Sequence, residues 1–105
     1  MLGFLKKLFT AGADKQVLIG QMIKEGAVVV DVRTADEFAS DRYAHSRNIP
    51  LHLLDGKIAD IKKWNKPVIV CCASGMRSSQ AAAILDKAGI KVVNAGSFRY
   101  LHKHF

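Results

Sequence analysis

The chain has 105 residues, half of them apolar, and carries 16 Lys and Arg against nine Asp and Glu, a formal net charge of +7. This length is typical of one domain and allows a core that needs no disulfide or metal to fold. The positive charge either attracts anions or serves only solubility, and the absence of a basic run interleaved with aromatic residues disfavours nucleic-acid binding. We therefore predict a single domain over residues 1–105, a monomer without a nucleic-acid partner.

The N-terminal extension, residues 1–13, begins with the stretch MLGFLKKLF. This stretch is too short for a signal peptide with its cleavage site, and far shorter than the roughly 20 residues that span a bilayer. Met1, Leu5 and Leu8 would share one stripe of a helix, with the two lysines pointing away from it. We predict a short amphipathic helix that packs on the domain, with weak binding to a membrane surface or a partner as the alternative.

The first part of the domain combines helical periodicity with one apolar run. Residues 14–25 predict a helix with Asp14 as its N-cap and Gly26 as its left-handed stop. The run AVVVDV, residues 27–32, is continuous and rich in β-branched residues. Such a run is typical of a strand that is buried on both faces.

Strands and helices then continue to alternate. Thr34 and Glu37 have the spacing of a capping box, which predicts a short helix that ends near Ser40. An extended piece turns at Pro50, and the remaining pattern predicts a helix over 53–63, a strand over 68–72, a helix over 77–89 stopped by Gly89, a strand over 91–94 and a C-terminal helix within 97–105. This alternation predicts an α/β fold, a small parallel β-sheet with helices on both faces.

The sequence VIVCCASGMRSS, residues 68–79, runs from a predicted strand into a predicted helix. Ligands bind beyond the carboxyl ends of parallel strands, and the amides of such a loop can converge on an anion. Gly75 permits a backbone turn that a Cβ would forbid. Ala73 and Ser74 are small enough to leave the amides accessible, and Arg77 adds a positive charge. The loop therefore predicts a site that holds a sulfur anion.

Only one of the two cysteines can face this loop, because neighbouring residues of a strand point to opposite faces. Cys71 lies within the strand run and is predicted to be a small buried hydrophobic residue. Cys72, taken as the first loop residue, is the predicted nucleophile. Two ordinary core cysteines are the alternative, which would leave the glycine and arginine unexplained. Adjacent cysteines close almost no loop as a disulfide, so we expect free thiols in the reducing cytoplasm.

Two motifs in this order resemble the rhodanese-like domain over residues 28–97. They are VVVDVRTADEF followed by NIP, and the C-x-x-G-x-R-S pattern of Cys72, Gly75, Arg77 and Ser78. The resemblance implies a sulfurtransferase whose Cys72 takes a sulfane sulfur from a small anionic donor such as thiosulfate. The resulting persulfide would pass its sulfur to cyanide or a thiol, including a protein thiol.

The resemblance also assigns supporting roles. It implies Ser78 as a supporting residue, Asp31 and Arg33 as a structural ion pair, and an anion-binding loop formed by Ala73, Ser74, Gly75, Met76 and Arg77. It implies no cofactor, and we expect no metal site, since the four histidines lie outside the loop.

Two alternatives share much of this pattern. Related phosphatase-type and arsenate-reductase domains use a C-x5-R loop, whereas four residues separate Cys72 from Arg77, which fits a bound sulfur atom. A sulfur carrier or regulatory binding module of the same fold would dock partners through its basic face without turnover. The chain departs from the family pattern over 39–47, which lacks the usual glycines, at Ser97 after Gly96, and at Glu37, where the large two-domain thiosulfate enzymes carry an arginine.

Overall fold

The computed structural model describes residues 12–105, and the helix predicted for MLGFLKKLF lies outside them. Within this range, strands and helices alternate in the order α1 (Gly12–Lys24), β1 (Val28–Asp31), α2 (Ala35–Ser40), β2 (Ser46–Asn48), α3 (Ile58–Trp64), β3 (Val68–Cys72), α4 (Met76–Lys87), β4 (Val92–Ser97) and α5 (Phe98–His104). Two short 3-10 turns, Leu51–Leu53 and Asp55–Lys57, lead into α3. Across residues 12–105, the helices are too short or too polar to cross a membrane.

The strands form one parallel sheet in the order β2-β1-β3-β4. The chain moves outward from β1 to β2 and then returns to the other side of β1 to form β3. The carboxyl ends of β1 and β3 therefore flank the point where the strand order reverses, which is where open α/β sheets bind ligands. The predicted parallel α/β fold is confirmed.

Alternating side chains of the two central strands fill two separate cores. Val30, Val70 and Cys72 pack with side chains of α3 and α4 in one core. Ile69 and Cys71 pack with side chains of α1 and α5 in the other. Helices cover both faces of the sheet, as predicted, and the two cysteines enter different cores.

The helix ends near the start of the domain follow the sequence in all but one respect. Helix α1 begins at Gly12, so the prediction of Asp14 as N-cap is wrong. Asp14 lies instead in the first turn, where its carboxylate interacts favourably with the helix dipole. The left-handed stop at Gly26 is confirmed by its φ of +88°. The capping box is also present, with the Glu37 amide donating to Thr34 Oγ1 at 3.2 Å and the Thr34 amide donating to Glu37 Oε1 at 3.1 Å.

The edge strands are longer or more regular than the sequence predicts. The extended piece before Pro50 is strand β2, which places Asn48 beside Asp31 of β1. Strand β4 continues to Ser97, beyond the predicted end at residue 94. Its register with β3 shifts at Ala95, a β-bulge that re-aims the end of the strand. These differences arise from pairing with β1 and β3, which a local pattern does not contain.

The segment 39–47, which lacks the glycines of the family pattern, is anchored by an aromatic side chain. Tyr43 is buried and packs in the core that contains Cys71. The hydroxyl of Ser46 donates to the Tyr43 carbonyl at 2.6 Å and closes the turn before β2. The segment therefore reaches the edge strand without the glycine-based turn.

Candidate active site

Cys72 is the last residue of β3, so the prediction that it begins the loop is wrong. The strand extends to this residue because Cys72 still pairs with Ser97 of β4. Its fully buried side chain nevertheless faces the loop. The amides of Gly75 and Ser78 donate to Cys72 Sγ at 3.0 and 3.4 Å, and the Ser78 hydroxyl lies 3.3 Å from the same atom. The sulfur therefore lies at the focus of the β3–α4 loop.

These donors decide the ionisation of Cys72. Burial raises the pKa of the Cys72 thiol, whereas the hydroxyl and amide of Ser78 and the amides of Gly75 and Ser74 lower it. The donors outweigh the burial, and the pKa of Cys72 lies below its ordinary value. The loop donors therefore favour the thiolate, which is the nucleophilic form of cysteine.

Gly75 gives the loop its shape. Its φ of +101° lies in the left-handed region, and a Cβ at this position would lie 3.3 Å from the Cα of Gly96. The Asn94 side chain donates to the Gly75 carbonyl at 3.3 Å, and its Oδ1 accepts from the Gly96 amide at 2.8 Å. Asn94 and Gly96 therefore support the loop from the neighbouring strand. No motif in the sequence marks Asn94 as a site residue, although its position at the end of the predicted strand 91–94 is a usable signal.

The other predicted loop residues occupy different surroundings. Ala73 is half-buried between β3 and α4, and the Ser74 side chain is exposed. Met76 begins α4 with 74% of its surface exposed, an unusual exposure for a large apolar residue. The direct contacts with the sulfur are thus carried by main-chain amides and the Ser78 hydroxyl.

Arg77 is committed to a carboxylate. Its Nη1 and Nη2 donate to Glu37 Oε1 at 2.6 Å and Oε2 at 3.0 Å, a bidentate ion pair. Hydrogen bonds from Arg77 and Thr34 lower the pKa of Glu37 to about 2. The two side chains meet because β1 and β3 are adjacent, which places the first turns of α2 and α4 side by side. The sequence indicated the charge of Arg77 but not this partner.

The predicted ion pair of Asp31 and Arg33 is present and buried, with a shortest N–O distance of 2.8 Å. The Arg33 guanidinium also donates to the carbonyls of Glu37 and Asp41 at 3.3 and 2.7 Å. It lies 3.8 Å from the centre of the Phe98 ring. Arg33 thereby connects the end of β1 with α2, with the residue that follows α2 and with the start of α5. These contacts stabilise the carboxyl end of the sheet, where Cys72 lies.

Cys71 lies in different surroundings. It is fully buried among apolar side chains, as predicted. Burial and the nearby carboxylate of Asp31 raise the pKa of the Cys71 thiol well above its usual range. This cysteine therefore remains a protonated core residue.

The rhodanese-like domain model matches residues 15–103. A sulfurtransferase of Allochromatium vinosum is 35% identical over 65 residues, 62% of this chain and 60% of that protein. The thiosulfate sulfurtransferase GlpE of Stutzerimonas stutzeri is 38% identical over 72 residues, 69% of this chain and 65% of that protein. This chain also matches half the length of an uncharacterised Escherichia coli protein, YibN, which is 40% identical over 72 residues.

The fold is also similar to that of a solved rhodanese structure. The structure of a rhodanese with anions from Escherichia coli is 32% identical, with a TM-score of 0.64 over 70% of this chain and 89% of that one. The family model covers most of the sequence, and the parallel sheet and strand-to-helix loop agree with it. The chain belongs to the rhodanese-like domain family.

Proposed function

We propose that the chain is a sulfurtransferase that carries a sulfane sulfur on Cys72 as a persulfide. The main support is the set of donors at Cys72 Sγ, with the Gly75 amide at 3.0 Å and the Ser78 hydroxyl at 3.3 Å. Such donors stabilise anionic sulfur, and both a thiolate and the terminal sulfur of a persulfide are anions. The similarity to two proteins named sulfurtransferase and thiosulfate sulfurtransferase supports the same class.

The proposed reaction has two displacement steps. The Cys72 thiolate attacks the sulfane sulfur of a donor such as thiosulfate, an S–S bond to Cys72 forms, and sulfite leaves with the electron pair of the broken bond. Cyanide or a thiolate then attacks the outer sulfur of the persulfide, and the Cys72 thiolate leaves. Covalent catalysis of this kind divides one difficult transfer into two easier steps, and neither step requires an external oxidant.

The lowered pKa of Cys72 serves both steps. In the first, the Gly75 and Ser78 donors keep the sulfur deprotonated and able to attack. In the second, the same donors stabilise it as a leaving group, and thiols of lower pKa leave faster. The chemistry requires a reduced thiol, and Cys71 and Cys72 are both free, so we propose the cytoplasm as its compartment.

Intact mass measurement tests the proposal. After incubation with thiosulfate or 2-hydroxyethyl hydropersulfide, the wild-type protein is expected to gain one sulfur atom. Addition of cyanide should remove that sulfur as thiocyanate. The Cys71→Ala variant should behave in the same way, whereas Cys72→Ala should gain no sulfur. Absence of any gain in the wild-type protein, or a gain that persists in Cys72→Ala, would overturn the proposed function.

Measurement of catalytic turnover distinguishes a sulfurtransferase from a sulfur carrier, a phosphatase or an arsenate reductase of related fold. Continuous formation of thiocyanate supports a sulfurtransferase. A persulfide that cyanide does not discharge would contradict turnover and point to a sulfur carrier. Hydrolysis of a phosphate ester or reduction of arsenate without any sulfur loading would contradict the proposed chemistry altogether.

A further inference from the structure

Both arginines beside the sulfur site form ion pairs with carboxylates. Arg77 directly precedes Ser78, whose hydroxyl contacts Cys72 Sγ, and both of its terminal nitrogens donate to Glu37. Arg33 donates to Asp31 and to two carbonyls of the α2 turn. Each positive charge is therefore matched by a negative charge at hydrogen-bond distance, and the two ion pairs add no net charge to the site.

Glu37 is held firmly in this arrangement. Its Oε1 accepts from the amide and hydroxyl of Thr34, both at 3.1 Å, in addition to Arg77 at 2.6 Å. The Glu37 and Arg77 side chains are 37% and 36% exposed, so the pair lies at the rim of the site and an approaching ligand meets both charges. A ligand that recruits Arg77 must displace a carboxylate that already satisfies the guanidinium.

We propose that Glu37 makes the site select sulfur donors by their charge. Hydropersulfides, which carry one negative charge or none, are accepted in preference to doubly charged thiosulfate. This inference rests on the proposed function. A sulfonate group needs a cation to offset the loss of its hydration, but the Arg77 guanidinium is already engaged and the Glu37 carboxylate repels a second anion. A hydropersulfide carries no sulfonate, and its outer sulfur needs only the loop amides.

The step with such a donor balances. The Cys72 thiolate attacks the outer sulfur of R–S–S–H, and a new S–S bond forms to Cys72. The original S–S bond breaks, the thiolate R–S⁻ leaves with the electron pair, and the proton stays on the transferred sulfur until solvent removes it. No oxidant or reductant is consumed.

Loading rates with two donors test the proposal. Intact mass gives the second-order rate of Cys72 loading by thiosulfate and by 2-hydroxyethyl hydropersulfide, and the ratio of these rates is the readout. Glu37→Gln removes the carboxylate charge but retains a residue that completes a capping box. The ratio of thiosulfate to hydropersulfide loading is expected to rise about tenfold, which corresponds to about 1.4 kcal/mol. Added salt should weaken the difference, because the pair is partly exposed.

Asp36→Asn provides the matched control. Asp36 lies in the same first turn of α2 and is exposed, and its loss changes the net charge by the same amount without touching the bidentate pair. Its ratio should stay within about twofold of wild type, because the effect of an exposed charge at longer range is largely screened by salt. The double variant Glu37→Gln/Arg77→Gln should lose the gain, which would assign the gain to the released guanidinium.

Two results would overturn the inference. One is an unchanged ratio in Glu37→Gln while circular dichroism shows the native fold. The other is an equal increase in Asp36→Asn, which would attribute the effect to net charge. Neither result affects the proposed function, which fails on other observations: no gain of sulfur by the wild-type protein from either donor, or a gain that persists in Cys72→Ala.

Discussion

The pKa values of the two adjacent cysteines of β3 shift in opposite directions although both side chains are fully buried. Cys71 enters the core beneath α1 and α5, beside the carboxylate of Asp31, and its pKa is raised. Cys72 enters the opposite core but receives hydrogen bonds from Gly75 and Ser78, and its pKa is lowered. Burial alone therefore does not make a thiol inert. The donors that surround the sulfur decide whether it is held as a thiol or as a thiolate.

Alkylation gives the largest expected contrast. In variants that retain one cysteine each, iodoacetamide at pH 7 should label Cys72 at least ~100-fold faster than Cys71, because each unit of pKa separation changes the thiolate fraction about tenfold. Intact mass against time measures both rates. In urea the two labelling rates should become similar, since unfolding separates the loop donors from Cys72 and exposes both thiols to solvent. Equal labelling of the two folded variants would contradict the contrast.

The ion pair on the Cys71 side should carry the largest effect on stability. Arg33→Met leaves the Asp31 carboxylate buried without its partner, and we expect a loss of about 3–5 kcal/mol in the free energy of unfolding, measured in urea. Arg42→Met is the control, since Arg42 is an exposed arginine that stacks on Phe38 at 5.1 Å. Its loss should stay within about 0.5 kcal/mol. Similar losses for the two variants would show that Arg33 is not structurally special.

Substitution of Gly75 tests whether the backbone conformation of the loop supports the surroundings of Cys72. Gly75→Ala places a Cβ 3.3 Å from the Gly96 backbone at a φ of +101°, and should destabilise the protein by about 2–3 kcal/mol. It should also slow Cys72 loading about tenfold or more, because the amide moves away from the sulfur. Gly89→Ala has a similar φ of +83° but open space around it, so about 1 kcal/mol is expected without a change in loading. Equal effects of Gly75→Ala and Gly89→Ala on stability and on Cys72 loading would contradict the close packing of Gly75 against Gly96.

The smallest expected effect concerns a single hydroxyl. Ser78→Ala removes one donor from Cys72 Sγ, so the pKa of Cys72 should rise by about one unit, equivalent to about 1.4 kcal/mol. The pH dependence of iodoacetamide labelling measures this shift, with the midpoint moving upward. Ser79→Ala changes an exposed neighbour in the same helix and should leave the midpoint in place. An unchanged midpoint in Ser78→Ala would assign the activation to the amides alone.

Local sequence patterns predicted the features that depend on neighbouring residues. The apolar run of β3, the alanine-rich helix α4 and the capping box of Thr34 and Glu37 lie within short windows, and the structure contains them all. The spacing of four residues between Cys72 and Arg77 favours a loop that holds a sulfur atom, which stays a prediction. The separation of the two cysteines followed from strand geometry alone.

Features that depend on distant pairing were not predicted. The bulge at Ala95, the extension of β4 to Ser97 and the pairing of β2 with β1 all follow from which strands become neighbours. The pair of Glu37 and Arg77 joins residues 40 positions apart, and its formation requires β1 and β3 to lie side by side. Charge alone indicated an available arginine, whereas the sheet order provides its partner.

The support of Gly75 by Asn94 also has a consequence for biosynthesis. Asn94 belongs to the last strand of the sheet, and it reaches the loop only when β4 has paired with β3. A nascent chain that has emerged only as far as α4 lacks this brace, and its Cys72 has yet to gain the fully assembled surroundings of the folded domain. The loop around the proposed nucleophile is therefore complete only when β4, the last strand to be synthesised, has joined the sheet.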